Sequence, residues 1–185
     1  GIIAVLIILS FGLQSFAPTS PTADTGETSP IKGVGSQMEL MTSVNHITDP
    51  EIRVQYSTDP PTSGDHWFVP AACGIYKHEI PDERIVHNME HGHVIISYNL
   101  PVSDQSDHLI SVAESLENLD DWGIVRPYAK IAAGSVAMTA WGIMDVSIGV
   151  DEDRITQFYN SYARNRFSEE TLSFGAIPCS SSIDH

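Results

Sequence analysis

The stretch His87-Asn88-Met89-Glu90-His91-Gly92-His93 sets three imidazoles and a carboxylate within seven positions. Imidazole nitrogens and carboxylate oxygens are ligands for borderline metal ions, and the same groups move protons near neutral pH. His87-x-x-Glu90-His91 is also the inverted spelling of a zinc-hydrolase signature. On a helix, residues i and i+4 share a face, so His87 and His91 could bind one ion while Glu90 activates a water. Against this, Gly92 follows at once and the apolar run Val94-Ile95-Ile96-Ser97-Tyr98 begins just beyond it. The spacing therefore predicts about one turn of helix here, shorter than the hydrolase arrangement needs.

A metal site without catalysis makes fewer demands. His87, His91 and Glu90 meet on one turn, and His66, from Ser63-Gly64-Asp65-His66, completes a tetrahedral set. Imidazole suits zinc and copper alike, so the residue types do not choose between them. The competing reading is a histidine-rich hydrogen-bond network that buttresses two loops and holds no metal. His93 is in strand phase with Ile95 and Ser97, which predicts a buried, hydrogen-bonded ring. His46, His78, His108 and His185 read as surface residues.

Other chemistries find little footing. Cys73 and Cys179 have no CxxC partner, which argues against dithiol redox work. Outside the cytoplasm they are expected to pair as a disulfide; the alternative is two unrelated buried thiols. The glycines of Gly33-Val34-Gly35 do not form a phosphate loop. With 24 acidic residues against 9 basic and a net charge of -15, the chain lacks the clustered cations that nucleic acid requires. Such a surface favours solubility or a cationic soluble partner.

The elements that must position these residues follow from periodicity and breakers. Ile52-Arg53-Val54-Gln55-Tyr56 alternates like a half-buried strand, and a Pro- and Gly-rich loop runs from Ser57 to Gly74. Val94–Tyr98 reads as a strand. Ser106–Leu119 reads as an amphipathic helix, with Ser103 and Asp104 placed to cap it. Two further strands, Gly123–Val125 and Ser135–Trp141, precede a helix over Asp151–Arg166, and the tail from Ser168 reads as irregular. The expected fold is α+β, a small two-layer sandwich of two helices over one mixed or antiparallel sheet.

Residues 1–17, GIIAVLIILSFGLQSFA, are almost wholly apolar and carry no charge. They read either as a signal peptide cut after Ser15-Phe16-Ala17 or as a membrane anchor. The expectation is a retained transmembrane helix, docked among the helices of an integral membrane complex. Residues 18–36 then form a Pro/Ser/Thr/Gly linker, and residues 37–185 the extracytoplasmic domain.

Three blocks carry a family resemblance: Pro60-Pro61-Thr62-Ser63-Gly64-Asp65-His66, then Gly74-Ile75-Tyr76, then His87 to Gly92 with Val94 and Tyr98-Asn99 beyond. In order and spacing they resemble the domain-of-unknown-function family numbered 3105, single-span bacterial proteins with an exported domain. The resemblance implies an anchored domain outside the cytoplasm, on the periplasmic side of the inner membrane, with His66, His87, Glu90 and His91 as its marked residues. It implies no established activity. The leading functional expectation is a non-catalytic accessory subunit of a larger membrane assembly, photosynthetic or respiratory, whose acidic domain covers the outer face. The alternatives are a periplasmic copper- or zinc-binding protein and a zinc-dependent hydrolase in which Glu90 is the base.

Overall fold

The computed structural model describes residues 31–179. The expected anchor, residues 1–17, and most of the expected linker lie outside the described residues. Among the described residues no helix is long and apolar enough to cross a membrane. Packing begins at Ile31, inside the stretch read as linker: Val34 is buried in the core and Ile31 packs against it.

The chain runs through β1 (Ser36–Gln37), β2 (His46–Ile47), β3 (His66–Trp67), β4 (Gly74–Ile75), α1 (Asp82–Glu90), β5 (Val94–Asn99) and α2 (Ser103–Glu114). It continues through α3 (Leu119–Trp122), β6 (Gly123–Pro127), β7 (Ser135–Ala140), β8 (Ile143–Ile148), α4 (Glu152–Tyr162) and α5 (Glu169–Phe174). The α+β class holds. The main sheet is mixed, in the order β1-β8-β7-β5-β6-β4, antiparallel from β1 to β5 and parallel from β5 to β4. β2 and β3 form a separate parallel ribbon.

The layering differs from the two-layer expectation. Leu109, Val112 and Ala113 of α2 and Ile155, Phe158 and Tyr162 of α4 cover one face, against Val94, Ile96, Val125, Val136 and Met138. On the other face, Ile85, Val86 and Met89 of α1 meet Ile95, Ile124 and Trp141. Strands buried on both faces carry apolar side chains at successive positions, as Val94-Ile95-Ile96 does.

α1 is the element that matters most for the site, and it has nine residues where about one turn was expected. The extension lies upstream. Pro81 stands at the N-cap and Asp82 and Glu83 occupy the first turn, where carboxylates suit the helix dipole. Gly92 ends the helix with φ +95°, and a Cβ there would sit 2.6 Å from Asn165 O, so no other residue fits. The start is pinned by Arg126, fully buried, whose guanidinium donates to Asp82 Oδ1 (2.7 Å), Ile80 O (2.9 Å) and Ser97 Oγ (3.2 Å).

Other boundaries shift for identifiable reasons. Ile52–Tyr56 joins neither sheet: Val54 N–H donates to Glu83 Oε1 (2.9 Å) and Tyr56 OH to Asp65 O (2.8 Å), so side-chain and loop contacts replace a ladder. Ser103 and Asp104 fall inside α2, behind an uncapped Val102. Asp151 caps α4 by accepting from Arg154 N–H (3.1 Å), but the helix ends at Tyr162, leaving Arg164 and Arg166 beyond it. The tail forms α5, capped by Ser168, which accepts from Thr171 N–H (3.0 Å).

Candidate metal centre

His46 and His66 are paired residues across the parallel ribbon of β2 and β3, so their rings leave the same face. Asp65 holds the two strands in register, its Oδ1 accepting from Asn45 N–H (2.7 Å) and Ser43 Oγ–H (2.5 Å). Gly64 makes the turn before β3 with φ +127°, where a Cβ would lie 2.7 Å from Met41 Sδ. That turn aims the Gly64 carbonyl at His66 Nδ1 (2.9 Å). α1 packs over the ribbon and brings His87 beside these rings, with His87 Nδ1 donating to Trp67 O (2.7 Å). The ring centroids of His46, His66 and His87 stand 4.6 to 5.0 Å apart.

These backbone contacts fix the chemistry. A carbonyl oxygen only accepts, so Nδ1 of both His66 and His87 carries the proton, and in the neutral ring Nε2 bears the lone pair. The same arrangement orients histidines that ligate metals. Burial, then the neighbouring His91, depresses His87 to about 3. Burial likewise holds His91 at about 4 and, with His66, lowers His46. All three are therefore neutral near pH 7, the state that binds metal.

The ligand nitrogens of His46, His66 and His87 lie within 4.8 Å of one another. Glu90 Oε2 enters the same space, 2.8 Å from His66 Nε2 and 3.6 Å from His46 Nε2. Short as the first distance is, neither His66 Nε2 nor Glu90 Oε2 makes a hydrogen bond of acceptable geometry. With the His66 ring neutral, two lone pairs face each other in a buried place. A carboxylate oxygen and a neutral His66 lone pair set 2.8 Å apart, buried with no hydrogen bond between them, are costly unless a cation joins them. The donor set therefore fits a metal ion.

Of the four residues singled out in the sequence, His66, His87 and Glu90 come together at this point. His91 stands at the edge. Its Nε2 is 3.0 Å from His87 Nε2 and 3.5 Å from Glu170 Oε1, and its Nδ1 is buried with no partner. His46 is exposed, as its reading as a surface residue predicts, and yet it joins the cluster. Although its side chain is 37 % exposed, the ring faces inward against His66 and His87. Glu170 of α5 also joins, forming a second group of possible ligands with His46 and Glu90. Burial and the charge of Glu90 raise the Glu170 carboxyl above the usual range.

His93 is fully buried and hydrogen-bonded, as its strand phase predicted. Asn88 Nδ2 donates to its Nδ1 (3.1 Å), and its Nε2 donates to Ile177 O (2.8 Å). Both nitrogens are thereby taken, and Cys73 and Cys179 beside it are joined in a disulfide with Cα atoms 5.8 Å apart. This second cluster staples the C-terminal segment to α1 and is not a ligand set.

No curated protein and no solved structure matches the chain. Residues 46–174, which span β2 through α5 and so every residue of the cluster, match the family described as "Protein of unknown function (DUF3105)", and the chain belongs to that family.

Proposed function

We propose that this domain is a binding module for one transition-metal ion, held by His46, His66, His87 and Glu90. The observation that carries the reading is the pair of orphaned buried atoms, His66 Nε2 and Glu90 Oε2, set 2.8 Å apart with the His66 tautomer fixed from behind by Gly64 O. Three imidazoles and a carboxylate suit a tetrahedral zinc site, and copper(II) is the natural competitor because it binds nitrogen sets more tightly. Glu90 points among the imidazoles, which favours a ligand over the base of a hydrolase. Elemental analysis of the purified full chain tests the proposal. About one metal per chain is expected for wild type and much less for His66→Ala and His87→Ala. Equal, negligible metal in all three overturns it and leaves the hydrogen-bond network.

The apolar run of residues 1–17 favours a second proposal about setting: the domain is tethered to the inner membrane, facing the periplasm, as a non-catalytic subunit of a larger assembly. The disulfide supports an oxidising compartment. Gentle detergent extraction should then yield the chain at the mass of a complex, and recovery as a monomer alone counts against it.

A further inference from the structure

The two possible ligand groups overlap, and the overlap has a direction. His46 belongs both to the group with His66 and His87 and to the group with Glu90 and Glu170. Because both groups draw on the ring of His46, their occupation is alternative and not simultaneous. The inner group adds the fully buried His66, side chain at 0 % exposure, to the exposed His46, whereas the outer group adds Glu170, 25 % exposed. The outer group offers two carboxylates and one imidazole; the inner offers three imidazoles, and His46 and Glu90 are common to both positions. Oxygen-rich sets hold zinc-like ions more weakly than imidazole sets, and carboxylates at a mouth attract dications from solution. Glu90 Oε2, more than nine-tenths buried and without a hydrogen-bond partner, points into the space the groups share.

We propose that His46, Glu90 and Glu170 form an outer receiving position, through which a hydrated zinc-like dication passes to the inner His46–His66–His87 set. This rests on the metal centre proposed above. Glu170 is placed for the task by the short α5 helix, anchored where Ser168 Oγ donates to Glu90 O (2.6 Å). Its neighbour Glu169 is exposed to solvent and belongs to neither group.

A step that lies on the path in both directions must affect arrival and departure equally. The test uses the full chain with its disulfide intact, stripped of metal and mixed rapidly with cobalt(II), whose visible absorption reports imidazole coordination. Glu170→Gln is expected to slow loading by about tenfold, the lower end of electrostatic steering effects. Release to a chelator should slow by the same factor, with the final spectrum, the affinity and the stoichiometry of one ion unchanged. Glu169→Gln, which alters net charge equally, should leave both rates at the wild-type value. Unchanged rates in Glu170→Gln overturn the proposal. So does faster release with weaker affinity, which makes Glu170 a resident ligand, and so does a fall in stoichiometry from two ions to one. Wild-type protein that takes up no cobalt defeats the metal centre itself, a result distinct from all of these.

Discussion

Glu90→Gln separates a metal centre from a metal-free hydrogen-bond network by the sign of its effect. With His66 Nδ1 committed to Gly64 O, the 2.8 Å approach of a neutral His66 Nε2 to Glu90 Oε2 sets acceptor against acceptor. Glutamine has the same shape but can turn an N–H toward His66. The metal-free variant thus gains one hydrogen bond, worth about 1 kcal/mol net, and loses a buried charge. It should melt above metal-free wild type by about 2–4 °C per kcal/mol for a domain of this size. With metal the order reverses. A ligand at a thousandfold excess over its Kd stabilises wild type by about 4 kcal/mol, and the variant, short of a charged ligand, gains much less. Thermal melts of both proteins with chelator and with free zinc buffered a thousandfold above the wild-type Kd read all four states. If His66 and Glu90 instead form an ion pair in a network without metal, the substitution breaks a buried pair and costs about 3–5 kcal/mol. A metal-free Glu90→Gln that melts well below wild type would refute the lone-pair reasoning.

Three further expectations concern the frame around the site. His93 is fully buried and depressed to about 3, while its unfolded value is near 6.5. The unfolded chain therefore takes up the proton first; the share of stability tied to His93 is present above pH 6.5 and falls by about 1.4 kcal/mol per pH unit below it, and the depressed His87 and His91 steepen the total fall. Urea midpoints of metal-free protein between pH 7.5 and 5.5 should show this fall, with a shallower one in His93→Leu, and equal slopes would count against it. Reducing the Cys73–Cys179 bond opens a loop with a sequence separation of 106, for which the chain-entropy relation gives about 4–5 kcal/mol. Denaturant unfolding with and without reductant measures it, and a loss under 1 kcal/mol would show that the tail is held by its other contacts. Arg126→Met leaves Asp82 and Ser97 short of a buried partner and should cost about 3–5 kcal/mol in urea unfolding. A near-neutral result would mean that Lys130 and Tyr128, which also contact Asp82, suffice to hold the start of α1.

Much of the inner site was legible because its residues lie in two short blocks. His87 and Glu90 share a helix, and His66 follows a turn whose glycine advertises itself. His46 was not legible: it sits in Val44-Asn45-His46-Ile47 with no motif around it, and reaches the cluster through a two-residue parallel pairing that periodicity cannot reveal. Glu170 was hidden by reading the tail as irregular, although Ser168-Glu169-Glu170-Thr171 carries a usable signal, a serine cap followed by acidic residues. The length of α1 is set upstream of the His87–His93 motif. Pro81 upstream is a helix opener, and Asp82 to Val86 supply the missing turns. The alternation at Ile52–Tyr56 was real but misattributed: Val54 and Tyr56 face inward while their strand partner is a carboxylate side chain and a loop carbonyl.

The ribbon of β2 and β3 has a consequence for how this sequence can drift. A single-residue slip in a ladder turns every side chain to the opposite face. With only two rungs, a deletion beside His46 or His66 would swing that imidazole outward and bring Asn45, Ile47, Asp65 or Trp67 inward. The connecting stretch stands under looser terms, since lengthening a surface loop costs little. Insertions should accumulate between the rungs, around Asp49 to Ile52, and be purged from the rungs themselves.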